Sequence, residues 1–178
     1  MTTIIYANYN NYVYERRKGN TNMNAEYVNL FIEAVEGVFN EVVQTELKFT
    51  KMAKKTDSLM AKNVAVIIGI TGQIRGSITL NLDESYAKQM ASIMMCGMPV
   101  ETFDEMAQSA IREVGNMTMG RVASLVEKKG KTIDITPPTL MSGAGMSISN
   151  QITPTLVISF SDAKNGGEID LDIAIAEV

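Results

Sequence analysis

The chain passes twice through the same order of predicted elements: a long amphipathic helix, a short strand and a pair of β-rich runs that read as a hairpin. Two such units predict an α+β domain in which both halves share one antiparallel sheet, with the long helices on one face. Sequence identity between the halves is weak, so the repetition is one of element order. The repeated elements are residues 24–44, 47–52, 64–71 and 73–82 in the first half, and 103–128, 131–136, 155–160 and 168–175 in the second; a further helix is predicted over residues 83–95.

Length and composition are those of a single folded domain with a distinct N-terminal segment. The 178 residues, 46% of them hydrophobic, suffice for one sizeable core. Residues 1–22, "MTTIIYANYNNYVYERRKGNTN", differ from the rest, since they contain four tyrosines and several asparagines without a helical or strand period. We therefore predict a flexible N-terminal extension over residues 1–22 and a globular domain over residues 23–178.

Charge and hydropathy exclude several classes of protein. The net charge of −4 and the pI near 4.9 argue against general nucleic-acid binding. No apolar run approaches the roughly 18 residues that a membrane span requires, and the polar N-terminus does not resemble a secretory signal. Together with the single cysteine, Cys96, these features predict a cytoplasmic protein.

The residue inventory also limits the chemistry. The chain has no histidine, which removes the commonest general base and the commonest metal ligand, and one cysteine cannot form a thiolate zinc site. Any catalysis must use carboxylates, amides, hydroxyls or lysines, or groups borrowed from a partner. We expect no metal site and no cofactor belonging to this chain.

One helix differs from a plain core helix. Its central stretch, "SAIREVGNMTMGRVAS" at 109–124, contains two glycines and an asparagine, which are poor helix formers. At about 100° per residue, one side of this helix is apolar and predicted to face the sheet. The opposite side combines one hydroxyl, one carboxylate, one amide and small residues instead of the usual charged side chains. The apolar stripe comprises Ala107, Ala110, Ile111, Val114, Thr118, Val122 and Leu125, and the outer stripe comprises Ser109, Glu113, Asn116, Gly120 and Ala123.

The outer stripe has two interpretations. Small residues let another protein approach the helix backbone, so that Asn116 can project into a partner's pocket while Glu113 pairs with a partner's cation. The spacing by itself also fits ordinary exposed polar residues on a helix whose glycines permit close packing. Gly115 lies off the stripe and is assigned to packing. Elsewhere, Asp170 and Asp172 share one face of the last strand, which we expect to be its solvent side or the border of a dimer interface.

At this helix the sequence resembles the CheC/CheX/FliY family of bacterial chemotaxis phosphatases. The family motif, Asp/Ser-x-x-x-Glu-x-x-Asn on a long surface helix, is matched by Ser109, Glu113 and Asn116. The segments "VIIGITGQIRGSITL", "SAIREVGNMTMGRVAS" and "DITPPTLMSG" are similar to CheX segments in the same order, and the resemblance covers about residue 23 to the C-terminus. In the first-half helix, the position that corresponds to Asn116 is predicted to be Phe39, three residues after Glu36, and it is not an asparagine. A single motif in the second half favours the CheX branch of this CheC-like fold.

The resemblance implies that the chain hydrolyses the aspartyl phosphate of a phosphorylated CheY-type response regulator in chemotaxis. In this view Asn116 orients the attacking water, Glu113 pairs with the regulator's active-site lysine, and Ser109, Gly120 and Ala123 lie at the partner surface. The Mg²⁺ belongs to the regulator, and the protein is expected to be a homodimer. The alternative is a non-catalytic dimeric adaptor that holds a receiver domain or a signalling complex without hydrolysis.

Overall fold

The computed structural model describes residues 3–5, 25–152 and 154–178. Three α-helices and ten strands occupy these ranges, and a π-helical turn, Phe39–Val43, continues the first helix. The elements are β1 (Thr3–Ile5), α1 (Ala25–Val38), β2 (Leu47–Lys55), β3 (Leu59–Met60), β4 (Val64–Gly72), β5 (Ile74–Leu82), α2 (Glu84–Met94), α3 (Glu105–Glu127), β6 (Ile133–Ile135), β7 (Thr139–Ser142), β8 (Ser147–Ile148), β9 (Thr155–Asp162) and β10 (Gly167–Glu177).

The main sheet has the strand order β1-β2-β9-β10-β5-β4-β6, with β7 also paired to β4, and every pairing is antiparallel. Its centre is the pair β5–β10, one strand from each predicted hairpin. The short strand of each half pairs with the hairpin of the other half, β2 with β9 and β6 with β4. This exchange explains how two similar halves form one sheet, and it confirms the predicted fold class.

The helices cover one face of this sheet. On β10 the alternate residues Ile169, Leu171 and Ile173 are fully buried, because a strand presents every second side chain to the same face. They belong to the same hydrophobic core as the inward faces of the three helices. The predicted apolar stripe of α3 is confirmed, with only Ala110 and Leu125 half-buried and its other members buried.

Gly115 lets α3 lie close to β4. A Cβ atom at this position would stand 2.9 Å from Val66 Cγ1 and 3.2 Å from Ile68 Cδ1, both in the core. Distances this short force neighbouring side chains to move in a close-packed interior. The glycine inside the helix is therefore required for packing, as its position off the outer stripe predicts. Gly120 differs, because a Cβ there would meet nothing within 4 Å beyond its chain neighbours and the backbone of its own helix.

Alanine at these two glycines should shift stability in opposite directions. Gly115→Ala is expected to lower the free energy of unfolding by about 1–2 kcal/mol, because the overpacking cost exceeds the gain in helix propensity. Gly120→Ala should raise it by up to about 1 kcal/mol, since only helix propensity changes. Urea unfolding of both variants measures the difference. Equal effects would contradict a packing role for Gly115.

The opposite face of the sheet is not simply solvated. Asp172 on β10 is only 3% exposed, so the expectation that it lies on a solvent side is wrong; Asp170, beside it, is half-buried. Segments after β3 and β8 contact this face: Lys62 Nζ lies 3.7 Å from Asp170 Oδ2, and Asn150 Nδ2 donates to Thr155 Oγ1 at 3.0 Å. The pKa of Asp172 is raised to about 7, mainly because the carboxyl is buried and in addition because Asp170 is negatively charged.

Three other sequence predictions differ in detail. The first long helix is α-helical only to Val38 and then continues as the π-helical turn. The predicted strand that begins at Leu47 extends to Lys55, and a short strand that was not predicted, β3, follows it before β4. Of the predicted N-terminal extension, residues 1–22, only Thr3–Ile5 is described, and it pairs with β2 as an edge strand. The rest of that prediction falls outside the described residues, and the domain boundary stays a prediction.

Candidate functional site

Helix α3 carries the candidate site on its outer face. The helix begins after Asp104, whose side chain accepts a hydrogen bond from the backbone N–H of Ala107 at 3.0 Å, so the first turn is capped. It then runs without interruption to Glu127. The long, well-packed helix holds the backbone of the site rigidly, and only the side chains on its outer face are free to meet a partner.

The outer stripe is found where the sequence predicts it. Ser109, Glu113, Asn116 and Gly120 are exposed, and Ala123 is half-buried. Glu113 and Asn116 are three residues apart and thus neighbours on one helical face. Within residues 25–152 and 154–178, neither side chain has a hydrogen-bond or ion-pair partner. A carboxylate and an amide therefore stand side by side with their hydrogen-bonding capacity unused.

A groove of about 500 Å³ lies against these two side chains. One wall is α3, and the other is the connection between β6 and β7. Thr136 fixes that connection to β4, since its backbone N–H donates to Gly69 O at 3.0 Å and its Oγ1 accepts from Gly69 N at 2.9 Å. The residues lining the groove are Ser109, Arg112, Glu113, Asn116, Ile135, Thr136, Pro137 and Pro138.

Arg112 and the second wall are part of the site but are not among the residues that the sequence pattern predicts for it. The guanidinium of Arg112 pairs with the carboxylate of Glu105, and its NH2 donates to Ser109 Oγ at 2.9 Å. Ser109, predicted as a partner-binding residue, thus has an intramolecular contact. The helical wheel places Arg112 directly beside Asn116, which was an available signal. The two prolines after β6 were a second signal, because proline restricts the backbone and so predicts a rigid segment at this position.

The first half contains an equivalent face without the asparagine. Residues 31–40 of α1 and its π-helical turn follow the burial pattern of residues 111–120 at every position but the sixth. This match aligns Glu33 and Glu36 with Glu113 and Asn116. The comparison of Phe39 with Asn116 is wrong, since Phe39 is 1% exposed and points into the core. The conclusion is unchanged, because Glu36 is not an asparagine either.

The described residues contain no group of three or more His, Cys, Asp or Glu side chains arranged to hold a metal ion. Among the helices that the structure describes, none has the length and apolar character needed to cross a membrane.

Comparisons with known proteins identify relatives of this chain. The family model described as chemotaxis phosphatase CheX matches residues 64–161. The CheY-P phosphatase CheX of Thermotoga maritima is 38% identical over 128 residues, which are 72% of this chain and 83% of the relative.

Solved structures are similar over most of the chain. A CheX–CheY–BeF₃–Mg²⁺ complex from Borrelia burgdorferi is 30% identical with a TM-score of 0.72, and the match covers 85% of this chain and 98% of that one. The chemotaxis protein CheX from Vibrio vulnificus is 26% identical with a TM-score of 0.75, covering 84% and 99% of the two chains.

Proposed function

Because this chain belongs to the chemotaxis phosphatase CheX family, we propose that it hydrolyses the aspartyl phosphate of a phosphorylated CheY-type response regulator. The observation that carries this proposal is the pair Glu113 and Asn116, exposed, unpartnered in the described chain and lining one groove. The pathway is proposed to be chemotaxis. The expected cytoplasmic location and the expected homodimer stay predictions.

Asn116 is proposed to orient the water that attacks phosphorus. An acyl phosphate is already labile, and phosphoryl transfer depends mainly on positioning and charge stabilisation, so no general base on this chain is required. The water forms a bond to phosphorus, the bond between phosphorus and the aspartyl oxygen breaks, and inorganic phosphate leaves. A neutral amide can align the water through its oxygen and nitrogen, as a glutamine does in small GTPases.

Glu113 is proposed to dock the regulator. Its carboxylate lies one helical turn from Asn116 and is available to pair with the regulator's active-site lysine, which would place the amide beside the phosphoryl group. The exposed backbone at Gly120, with half-buried Ala123 beyond it, leaves room for the regulator's surface. The Mg²⁺ is proposed to be held by the regulator, since no metal or cofactor of this chain is needed for these roles.

The competing function is an adaptor that binds a receiver domain and does not hydrolyse it. It would use the same helix, and Glu113 would have the same docking role. An adaptor, however, has no need of an amide without a partner beside the docking carboxylate. Asn116 therefore favours the phosphatase, and a phosphate-release assay with a phosphorylated receiver domain separates the two functions.

Glu113→Ala is expected to weaken binding while the rate at saturating regulator stays close to that of the unaltered chain. Losing one partner of a desolvated charge pair costs about 2–5 kcal/mol, so KM should rise by about 30-fold or more. Steady-state phosphate release over a range of regulator concentrations measures both constants. The control is Glu127→Ala, which removes an exposed carboxylate roughly 21 Å farther along the same helix. A fall in kcat with unchanged KM in Glu113→Ala would contradict the docking role.

A further inference from the structure

We propose that Glu105 and Ser109 are positioning residues that hold the Arg112 guanidinium away from Asn116, an inference that rests on the function proposed above. The three residues form a chain of contacts along the edge of the groove. Glu105 accepts from Arg112 NH2, and Ser109 Oγ accepts from the same nitrogen at 2.9 Å. We call this set the arginine clamp.

Helix geometry shows what the arginine clamp prevents. Arg112 lies four residues before Asn116 and three after Ser109, so its side chain is a neighbour of both. Directed toward the start of the helix, the guanidinium meets Ser109 and Glu105. Directed toward the end, its donors would reach the amide oxygen of Asn116, an acceptor with no partner in the described chain.

Electrostatics leads to the same conclusion. Arg112 and Glu113 both line the groove, and the Arg112 side chain is only 31% exposed. A guanidinium without its own carboxylate would compete with the partner's cation for Glu113 and would repel that cation. Glu105 neutralises Arg112 within the helix, so the unused negative charge of Glu113 remains available. The serine of the motif therefore acts on Arg112 and not directly on the partner.

The test uses the variants Glu105→Gln, Ser109→Ala and the double variant Glu105→Gln/Arg112→Gln. Freeing Arg112 should lower kcat/KM by about threefold to tenfold in Glu105→Gln, the effect of one competing hydrogen bond. Ser109→Ala, which keeps the ion pair, should show a smaller loss in the same direction. The double variant should recover most of the loss, because the competing cation is gone. Full activity in Glu105→Gln, or a double variant as impaired as Glu105→Gln, would overturn the proposal.

A second measurement does not depend on the regulator. The side-chain amide resonances of Asn116 should shift in Glu105→Gln and return toward their original positions in the double variant. A purely structural role of Glu105 would instead lower the melting temperature of both variants and leave the Asn116 amide unmoved, which would overturn the proposal. If the unaltered chain releases no phosphate from a regulator, the proposed phosphatase function fails, and the amide resonances still decide whether the arginine clamp acts on Asn116.

Discussion

Replacing Asn116 by alanine should abolish stimulated dephosphorylation while the chain still binds the phosphorylated regulator. Removing a group that is positioned for the transition state lowers kcat by about 100-fold or more. The carboxylate of Glu113 is untouched in this variant, so the dissociation constant should change little. Phosphate release at saturating regulator gives kcat, and titration calorimetry with a stable phosphoryl mimic gives the affinity.

Two further variants make the Asn116 result specific. Asn40→Ala removes an exposed asparagine next to α1, on the equivalent face of the first half, and should leave kcat unchanged. Asn116→Gln keeps the amide but displaces it by one methylene, which should give a partial loss because alignment of the water depends on sub-ångström positioning. Full activity of Asn116→Ala would show that the water is oriented by another group.

The second large predicted effect concerns stability, and it depends on the buried carboxyl of Asp172. Its pKa is about 7 in the folded protein against an ordinary value of 3.8, so between these values the folded chain binds the proton more tightly than the unfolded chain. The contribution of Asp172 to the free energy of unfolding therefore falls as pH rises through this range and levels off above pH 7. Asp172→Asn has no charge to bury, so its stability relative to the unaltered chain should increase by about 2–3 kcal/mol between pH 5 and pH 8.

Urea unfolding at the two pH values measures this difference. Asp134→Asn serves as the control, because it removes an exposed carboxylate from β6 and should show a nearly constant difference from the unaltered chain. Lys55 and Lys62 favour the charged form of Asp172, as does the hydrogen bond donated by Asn81, while Asp170 opposes it. A pH-independent stability difference for Asp172→Asn would mean that the carboxyl is solvated.

Periodicity was enough to predict the fold class and the two faces of α3. The apolar and outer stripes follow directly from the helical repeat, and the hairpin strands follow from β-rich runs around Gly72 and around residues 163–166. Alternation on β10 correctly placed Asp170 and Asp172 on one face. It could not predict that Asp172 is buried, since that burial depends on how distant segments of the chain pack over the sheet.

The missing parts of the site are those that depend on contacts between distant segments. The wall at residues 136–138 is held beside α3 because β6 and β7 both pair with β4. Thr136 adds hydrogen bonds to Gly69, 67 residues earlier in the chain. Aligning the two halves requires the burial of each residue as well as the sequence. Glu36 and Phe39 both lie near the position that corresponds to Asn116, and only their difference in exposure identifies Glu36 as the equivalent residue. The sequence predicted a packing role for Gly115, but it did not identify the side chains on β4 that this glycine packs against.

The groove on α3 is proposed to be the site at which this chain promotes hydrolysis of an acyl phosphate on a receiver domain. The most direct measurement is phosphate release from a phosphorylated CheY-type receiver domain with Mg²⁺, in the presence of much less than one equivalent of this chain. We predict a release rate that increases in proportion to the amount of chain added, with many phosphates released per molecule and no increase with Asn116→Ala. A rate that stays at the receiver's own value, or that falls because the chain shields the phosphoryl group, would contradict the claim and support an adaptor.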